Sequence, residues 1–290
     1  MLALLALLAS APAPAADAIA IDTLAIEMDA RDARVLFRKD PYDKSSFPVT
    51  VRPTEEGSAP LHGRIEVKGS FTRQTGKKSL LIKLDDGKWG GGSRISLNGM
   101  GTDGTMMREW LSWELMRALG MVVPDTRYTR LSVNGADSGL FLRIEWIDPG
   151  LFARAGLGAD GEFYHPYDSA FCGNLTPRSL DPALGCYFKL APRDDDFSSL
   201  RTLTEELAAQ PVDTFDQLVD RRFDANAVIN WFAVNALVTE TDTYNKNYFL
   251  YLPRNTGKWL VVPWDYDLTF GRAFKFFSMW WNGIHVRLKI

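Results

Sequence analysis

Thr239 to Gly271 reads TETDTYNKNYFLYLPRNTGKWLVVPWDYDLTFG, and this stretch decides the fold. Asn247–Leu252 and Lys258–Val262 are rich in aromatic and β-branched residues and are joined by Pro-Arg-Asn-Thr-Gly, the pattern of a β-hairpin. A hairpin returns the chain to its starting end. Asn247 and Asp265, which flank it, are therefore expected close together, with Asp242 nearby as the first residue of D-x-x-x-x-N. Two carboxylates and a carboxamide at one hairpin mouth make a hard-oxygen site suited to Mg²⁺. A surface turn rich in Asx residues is the competing reading of D-x-x-x-x-N alone, and D-x-D at Asp265–Asp267 is equally weak by itself. The order of loop, hairpin and acid is more specific. In protein kinases a catalytic-loop Asp is followed at this spacing by Asn, then by a hairpin and a metal-binding Asp.

Outward from this stretch, Asp224 is the expected N-cap of a helix reaching Val238, with Val228, Ile229, Phe232, Ala233, Ala236 and Leu237 at core spacing. Phe197–Ala209 and Thr214–Val219 also read as helices, while residues 148–194 read as irregular. Arg127–Val133 and Leu140–Trp146 form a hairpin around Asn134-Gly135, and a helix runs from Thr105 to Leu119. From Ile21 to Leu97 the pattern is mostly strand. Leu61–Lys68 alternates, with Leu61, Gly63, Ile65 and Val67 on one face. The expectation is an α+β chain with a β-rich N-terminal half and a mainly helical C-terminal half carrying one hairpin.

Composition narrows the function. The chain has 290 residues, 46% apolar and 24% charged, with 33 Lys+Arg against 36 Asp+Glu, which is ordinary globular composition. No dense basic run is present, which argues against nucleic acid as a partner. Three widely spaced histidines (His62, His165, His285) exclude a His-based zinc motif. No apolar stretch after the N-terminus is long enough to span a bilayer. MLALLALLAS followed by APAPAADA reads as a signal peptide ending near residue 16, although no Lys or Arg precedes the apolar run. Cys172 and Cys186 stand alone in a Gly/Pro/Asn-rich loop. With an export signal they are expected to form a disulfide, worth about 3 kcal/mol for a loop of about 15 residues.

Lys83, in Leu-Leu-Ile-Lys, resembles the strand lysine of kinases that holds nucleotide phosphates, with Glu109 or Glu114 on the next helix as its ion-pair partner. A solvated lysine at a strand end is the competing reading. The loop before it carries Lys68, Arg73, Lys77 and Lys78 and is either a basic loop over phosphates or an exposed turn; its glycine spacing is not that of a Walker A loop.

Three blocks resemble the CotH kinase family of secreted or surface-associated atypical protein kinases. They are Lys68–Leu84 (KGSFTRQTGKKSLLIKL); Asp103, Arg108, Gly120, Asn134-Gly135, Gly139-Leu-Phe-Leu and Glu145; and Phe232-Ala-Val-Asn through Asp242, Asn247, Tyr248, Trp259, Pro263-Trp-Asp-Tyr-Asp267 and Phe270-Gly271. The resemblance implies a two-lobed kinase-like fold, with an N-lobe over about residues 20–147 and a C-lobe over about 148–290. It implies ATP and Mg²⁺ or Mn²⁺ as cofactors, Asp242 as catalytic Asp, Asp265 as metal ligand, and Asn247 and Asp267 as supporting ligands. Lys83, Lys68, Arg73 and Lys78 become candidates for nucleotide contact, Trp259 for a wall of the nucleotide pocket, and Glu145 for the hinge. Lys68 and Phe71-Thr72 depart from the family's Arg and serine pair. Nineteen residues follow Gly271 where family members usually continue further, so a shortened C-terminal lobe is expected. The implied activity is phosphorylation of Ser or Thr on an exported or surface protein. The alternatives are a non-catalytic surface or adhesion protein and a D-x-D nucleotide-sugar transferase.

Overall fold

The alternation legible in Leu61–Lys68 recurs in the strands Ile21–Glu27 and Phe47–Arg52. In the computed structural model, which describes residues 19–53, 58–69, 71–89, 92–167 and 171–271, those strands are part of a closed barrel. The expected signal peptide and the residues after Gly271 lie outside the described residues. The described residues divide into two compact units, one within residues 19–99 and 126–145 and the other within residues 100–125 and 146–271.

In the first unit β1 (Ile21–Glu27), β2 (Phe47–Arg52), β3 (Leu61–Lys68), β4 (Ser79–Leu84), β5 (Arg94–Asn98), β6 (Thr126–Val133) and β7 (Ala136–Ile144) are ordered β1-β2-β3-β4-β5-β7-β6. Neighbours are antiparallel except β1 and β6, whose parallel pairing from Ile21↔Tyr128 to Ile26↔Val133 closes the ring. Closure removes the exposed sheet edges that would otherwise template aggregation. Leu24, Ile26, Val49, Val51, Ile65, Val67, Leu80, Ile82 and Leu97 fill the interior, and His62, Arg64 and Glu66 of β3 alternate with them. Gly63 has no room for a side chain, because a Cβ would fall 2.2 Å from the Lys83 carbonyl on β4. The β6–β7 turn has φ +51° at Asn134 and +79° at Gly135, the left-handed pair that a two-residue hairpin demands. A helix that the strand pattern did not disclose, α1 (Ala30–Arg38), is capped by Asp29, which accepts from the Arg31 and Asp32 N–H groups, and it buries Leu36 in the barrel core.

Among its described residues the second unit has more helix than strand, as expected, but its sheet has four strands rather than the two of a single hairpin. Its centre is an antiparallel sheet in the order β11 (Leu260–Pro263), β10 (Tyr248–Leu252), β8 (Glu162–Pro166), β9 (Tyr187–Ala191). The expected hairpin is β10–β11, registered Tyr248↔Pro263 to Tyr251↔Leu260. Strands β8 and β9 fall in the segment read as irregular. Each has five residues, too few to establish a period, and they are defined by pairing, β8 with β10 and β9 with β8. The helices are α2 (Arg108–Ala118), α3 (Pro149–Arg154), α4 (Ser198–Ala209), α5 (Phe215–Arg222) and α6 (Ala225–Leu237). Helix α2 belongs to this unit rather than to a contiguous N-terminal lobe, because it packs on α6 and carries Trp113 against Tyr266 (ring centroids 5.4 Å).

Helix α6 begins where expected, with the Asp224 carboxylate accepting from the Ala227 N–H at 3.1 Å. Its buried face differs from the expected one. Ala227, Trp231, Val234 and Asn235 are buried, while Ile229, Phe232 and Leu237 are 61%, 51% and 56% exposed. A helix apolar on nearly all sides gives no moment to fix its rotation, so tertiary partners set it. Cys172 and Cys186 form the expected disulfide, with Cα atoms 5.4 Å apart.

Candidate functional site

The end of α6, the hairpin β10–β11 and the residues after β11 assemble the candidate site within the second unit. Helix α6 stops at Val238, and Thr239 takes φ +55°, rare for a β-branched residue. That turn is held from the far end of the motif: Gly271 N–H donates to Thr239 Oγ1 at 2.7 Å, and Phe270 N–H donates to the Val238 carbonyl. The ends of the Thr239–Gly271 stretch therefore meet.

Between them, Asn247 is 2% exposed. Its Nδ2 donates to Asp242 Oδ2 at 3.3 Å, and its carbonyl accepts from the Trp264 N–H (3.2 Å) and Thr243 Oγ1 (2.9 Å). Asn247 thus ties the D-x-x-x-x-N loop to the start of the D-x-D segment. Asp265 has φ +60°, in the left-handed region that Asp tolerates better than most residues and that clusters at functional sites. Tyr266, fully buried, anchors the two aspartates that flank it. Its hydroxyl donates to Asn235 Oδ1 at 2.6 Å and accepts from Trp231 Nε1 at 3.1 Å, both on α6. Asp267 accepts from Thr102 Oγ1 at 3.3 Å.

Two functional candidates escaped the sequence reading. Lys246 pairs with Asp242 Oδ2 at 2.8 Å. Glu240, 3% exposed, accepts the Asp242 N–H through Oε1, while its Oε2 has no hydrogen-bond partner among the described residues. Lys246 had a signal in its position one residue before Asn247; Glu240 had none, since only packing buries it.

The carboxylates repel one another. Burial pushes the Glu240 carboxyl well above the usual carboxylate range; the bond from the Asp242 N–H opposes this, while the charges of Asp242, Asp265 and Asp267 add to it. Burial also raises Asp267 well above that range, reinforced by Asp265, Glu109 and Asp242. Such mutual repulsion is what a bound divalent cation relieves, and the donors are oxygens. Among the described residues, no group of three His, Cys, Asp or Glu side chains is gathered closely enough to cage a metal. Mg²⁺ does not need such a cage, because it is usually bound by one or two carboxylates together with water and substrate phosphates. The residues fit that kind of ion.

A model of the CotH kinase protein family matches residues 65–283. The chain belongs to this family. Among its relatives, the inner spore coat protein H of Bacillus subtilis (strain 168) is 30% identical over 250 residues, covering 83% of this chain and 67% of that protein. Invasin CotH2 of Rhizopus delemar is 24% identical over 204 residues, covering 63% of this chain and 33% of the invasin.

Lys83 lies on the outer face of the barrel, and its ammonium pairs with Glu66 on β3 at 2.9 Å. Glu114 faces Arg117 at 3.5 Å. Lys68 Nζ donates to Ser96 Oγ at 2.6 Å. Arg73 donates to the Gly69 carbonyl at 2.6 Å and the Asp43 carbonyl at 3.2 Å, while Lys78 donates to the Arg73 carbonyl. Glu145 is the last residue of the first unit. Trp259 is wholly buried in the second unit, 5.8 Å from Tyr164 by ring centroids.

Proposed function

We propose that this CotH-family chain is an atypical protein kinase that transfers the γ-phosphoryl group of ATP to a Ser or Thr hydroxyl of an exported or surface protein. The observation that most supports this is that Asn247 ties Asp242 to the start of the Asp265–Asp267 segment at one hairpin mouth, where burial holds Glu240 and Asp267 well above the usual carboxylate range. Asp265 and Asp267, with Asn247, would hold Mg²⁺ or Mn²⁺. When bound, the cation neutralises charge on the phosphate oxygens, and phosphoryl transfer depends chiefly on such neutralisation and on positioning. Asp242, gripped through Oδ2 by Asn247 and Lys246, orients the acceptor hydroxyl and receives its proton. In the first unit Lys68 and Lys83 are the candidates for phosphate contact. Relatives named for a spore coat and for invasion favour a coat or cell-surface location. Among the described residues, no helix is long and apolar enough to cross a membrane.

One observation favours a second reading, a non-catalytic surface protein. Arg73, Lys77 and Lys78 all donate to backbone carbonyls, Lys77 to that of Leu140 on β7, so the basic loop is braced within the first unit. Incubation of the purified protein with labelled ATP and Mg²⁺ or Mn²⁺, followed by mass spectrometry, tests the choice. Phosphate on Ser or Thr is expected. No incorporation, together with no nucleotide binding by calorimetry, would leave the non-catalytic reading standing.

A further inference from the structure

The disulfide-closed loop is stitched to the candidate catalytic loop at several points. Gly173 N–H donates to the Asn245 carbonyl at 3.0 Å, and Asn245 Nδ2 donates to the Phe171 carbonyl at 3.3 Å. Tyr248 OH donates to the Gly173 carbonyl and lies 2.7 Å from the hydroxyl of Tyr187, the residue after Cys186. A Cβ at Gly173 would stand 2.4 Å from Pro166 Cβ and 2.9 Å from the Asn245 carbonyl, so the two loops touch backbone to backbone. The Lys246 ammonium lies 4.8 Å from the centroid of the Phe171 ring and 2.8 Å from Asp242 Oδ2. An ammonium over an aromatic face is attracted by the ring quadrupole, so Phe171 and Asp242 grip Lys246 together.

Phe171 is held in this place against its own backbone preference. Its φ is +49°, a conformation that a bulky residue keeps only when its surroundings impose it. The next residue, Cys172, is bonded to the buried Cys186, which fixes the loop to the start of β9. Composition does not explain why an exposed aromatic should sit here; its contact with Lys246 does.

We propose that Phe171 is a positioning residue for Asp242, acting through Lys246, and that the Cys172–Cys186 disulfide holds it there, making the catalytic loop sensitive to reduction. The inference rests on the kinase reading for its effect on turnover. Reduction by a small dithiol breaks the S–S bond; two electrons and two protons pass to the cysteines as the reductant closes to its own disulfide. The loop then loses its tether, and Lys246 no longer holds the Asp242 carboxylate in one orientation.

The test uses the full chain in three forms: oxidised, reduced in place with dithiothreitol, and reoxidised. Oxidised Phe171→Leu and Phe171→Tyr variants accompany them. Phe171→Leu should lower kcat about tenfold, the size of a partly desolvated cation–π contact, with KM for ATP changed less than about twofold. Phe171→Tyr keeps the ring and should restore kcat. Reduction should lower kcat likewise, and reoxidation should recover it. Hydrogen exchange is read in parallel: reduction should speed exchange at residues 243–248 by about tenfold or more and leave the barrel amides unchanged. Equal turnover in wild type and Phe171→Leu would overturn the proposal, as would exchange at 243–248 unaffected by reduction. If the wild type transfers no phosphate, the kinase reading fails by itself, and the exchange comparison still decides whether the disulfide braces this loop.

Discussion

Tyr266→Phe removes one oxygen atom from the most buried part of the candidate site. That hydroxyl donates to Asn235 Oδ1 (2.6 Å) and accepts from Trp231 Nε1 (3.1 Å), and both partners sit on the buried face of α6. Phenylalanine keeps the ring against Trp113, so little packing changes. The cost is in the two groups left behind. A buried polar atom deprived of its partner costs about 1–3 kcal/mol, so the pair should cost about 2–6 kcal/mol. At about 2–4 °C per kcal/mol for a chain of this size, the melting transition should fall by about 4–24 °C. Differential scanning calorimetry measures the loss. Because Tyr266 anchors the aspartates on either side of it, the rise in melting temperature on adding Mn²⁺ should also shrink in the variant. A fall of less than about 2 °C would show that the bridge is not what holds the D-x-D segment to α6, and the account of the site's rigidity would be wrong.

Three other expectations can be checked directly. Asp265→Ala should abolish metal-dependent ATP binding in calorimetry; unchanged affinity would reject the site. Asp242→Asn keeps the volume and loses the proton acceptor, so phosphorylation should fall by about 10²- to 10⁴-fold while ATP affinity changes far less than in Asp265→Ala; a wild-type rate would return D-x-x-x-x-N to a surface turn. Glu240 and Asp267 have folded-state values above their unfolded ones, so the stability they contribute is fully present below about pH 4 and is lost as pH rises through the raised folded values. Metal-free protein should therefore melt higher at pH 5.5 than at pH 7.5, and Mg²⁺ or Mn²⁺ should stabilise it more at the higher pH. Melting curves that ignore the cation at both values would contradict a carboxylate cluster awaiting one.

Features that depend only on neighbours along the chain were legible before folding. The alternation of β3, the left-handed turn at Asn134-Gly135, the Asp224 cap and the hairpin β10–β11 are local. The convergence of Asp242 and Asn247 with the D-x-D segment followed from them, because a hairpin must bring its two ends together. The Cys172–Cys186 bond could be read from two cysteines alone in one loop. Only tertiary structure decided the rest. Barrel closure needs β1 to meet β6 in parallel across about a hundred residues, and no local pattern encodes a partner that distant. Strands β8 and β9 are too short to show a period until β10 pairs with β8. Helix α6 is apolar on nearly every side, so its rotation waited on the Tyr266 hydroxyl and on α2. Glu240 looks like any surface acid until packing buries it beside three others. A charge's solvent exposure is a property of the whole fold, and in this site it separates a spectator carboxylate from one that answers to a cation.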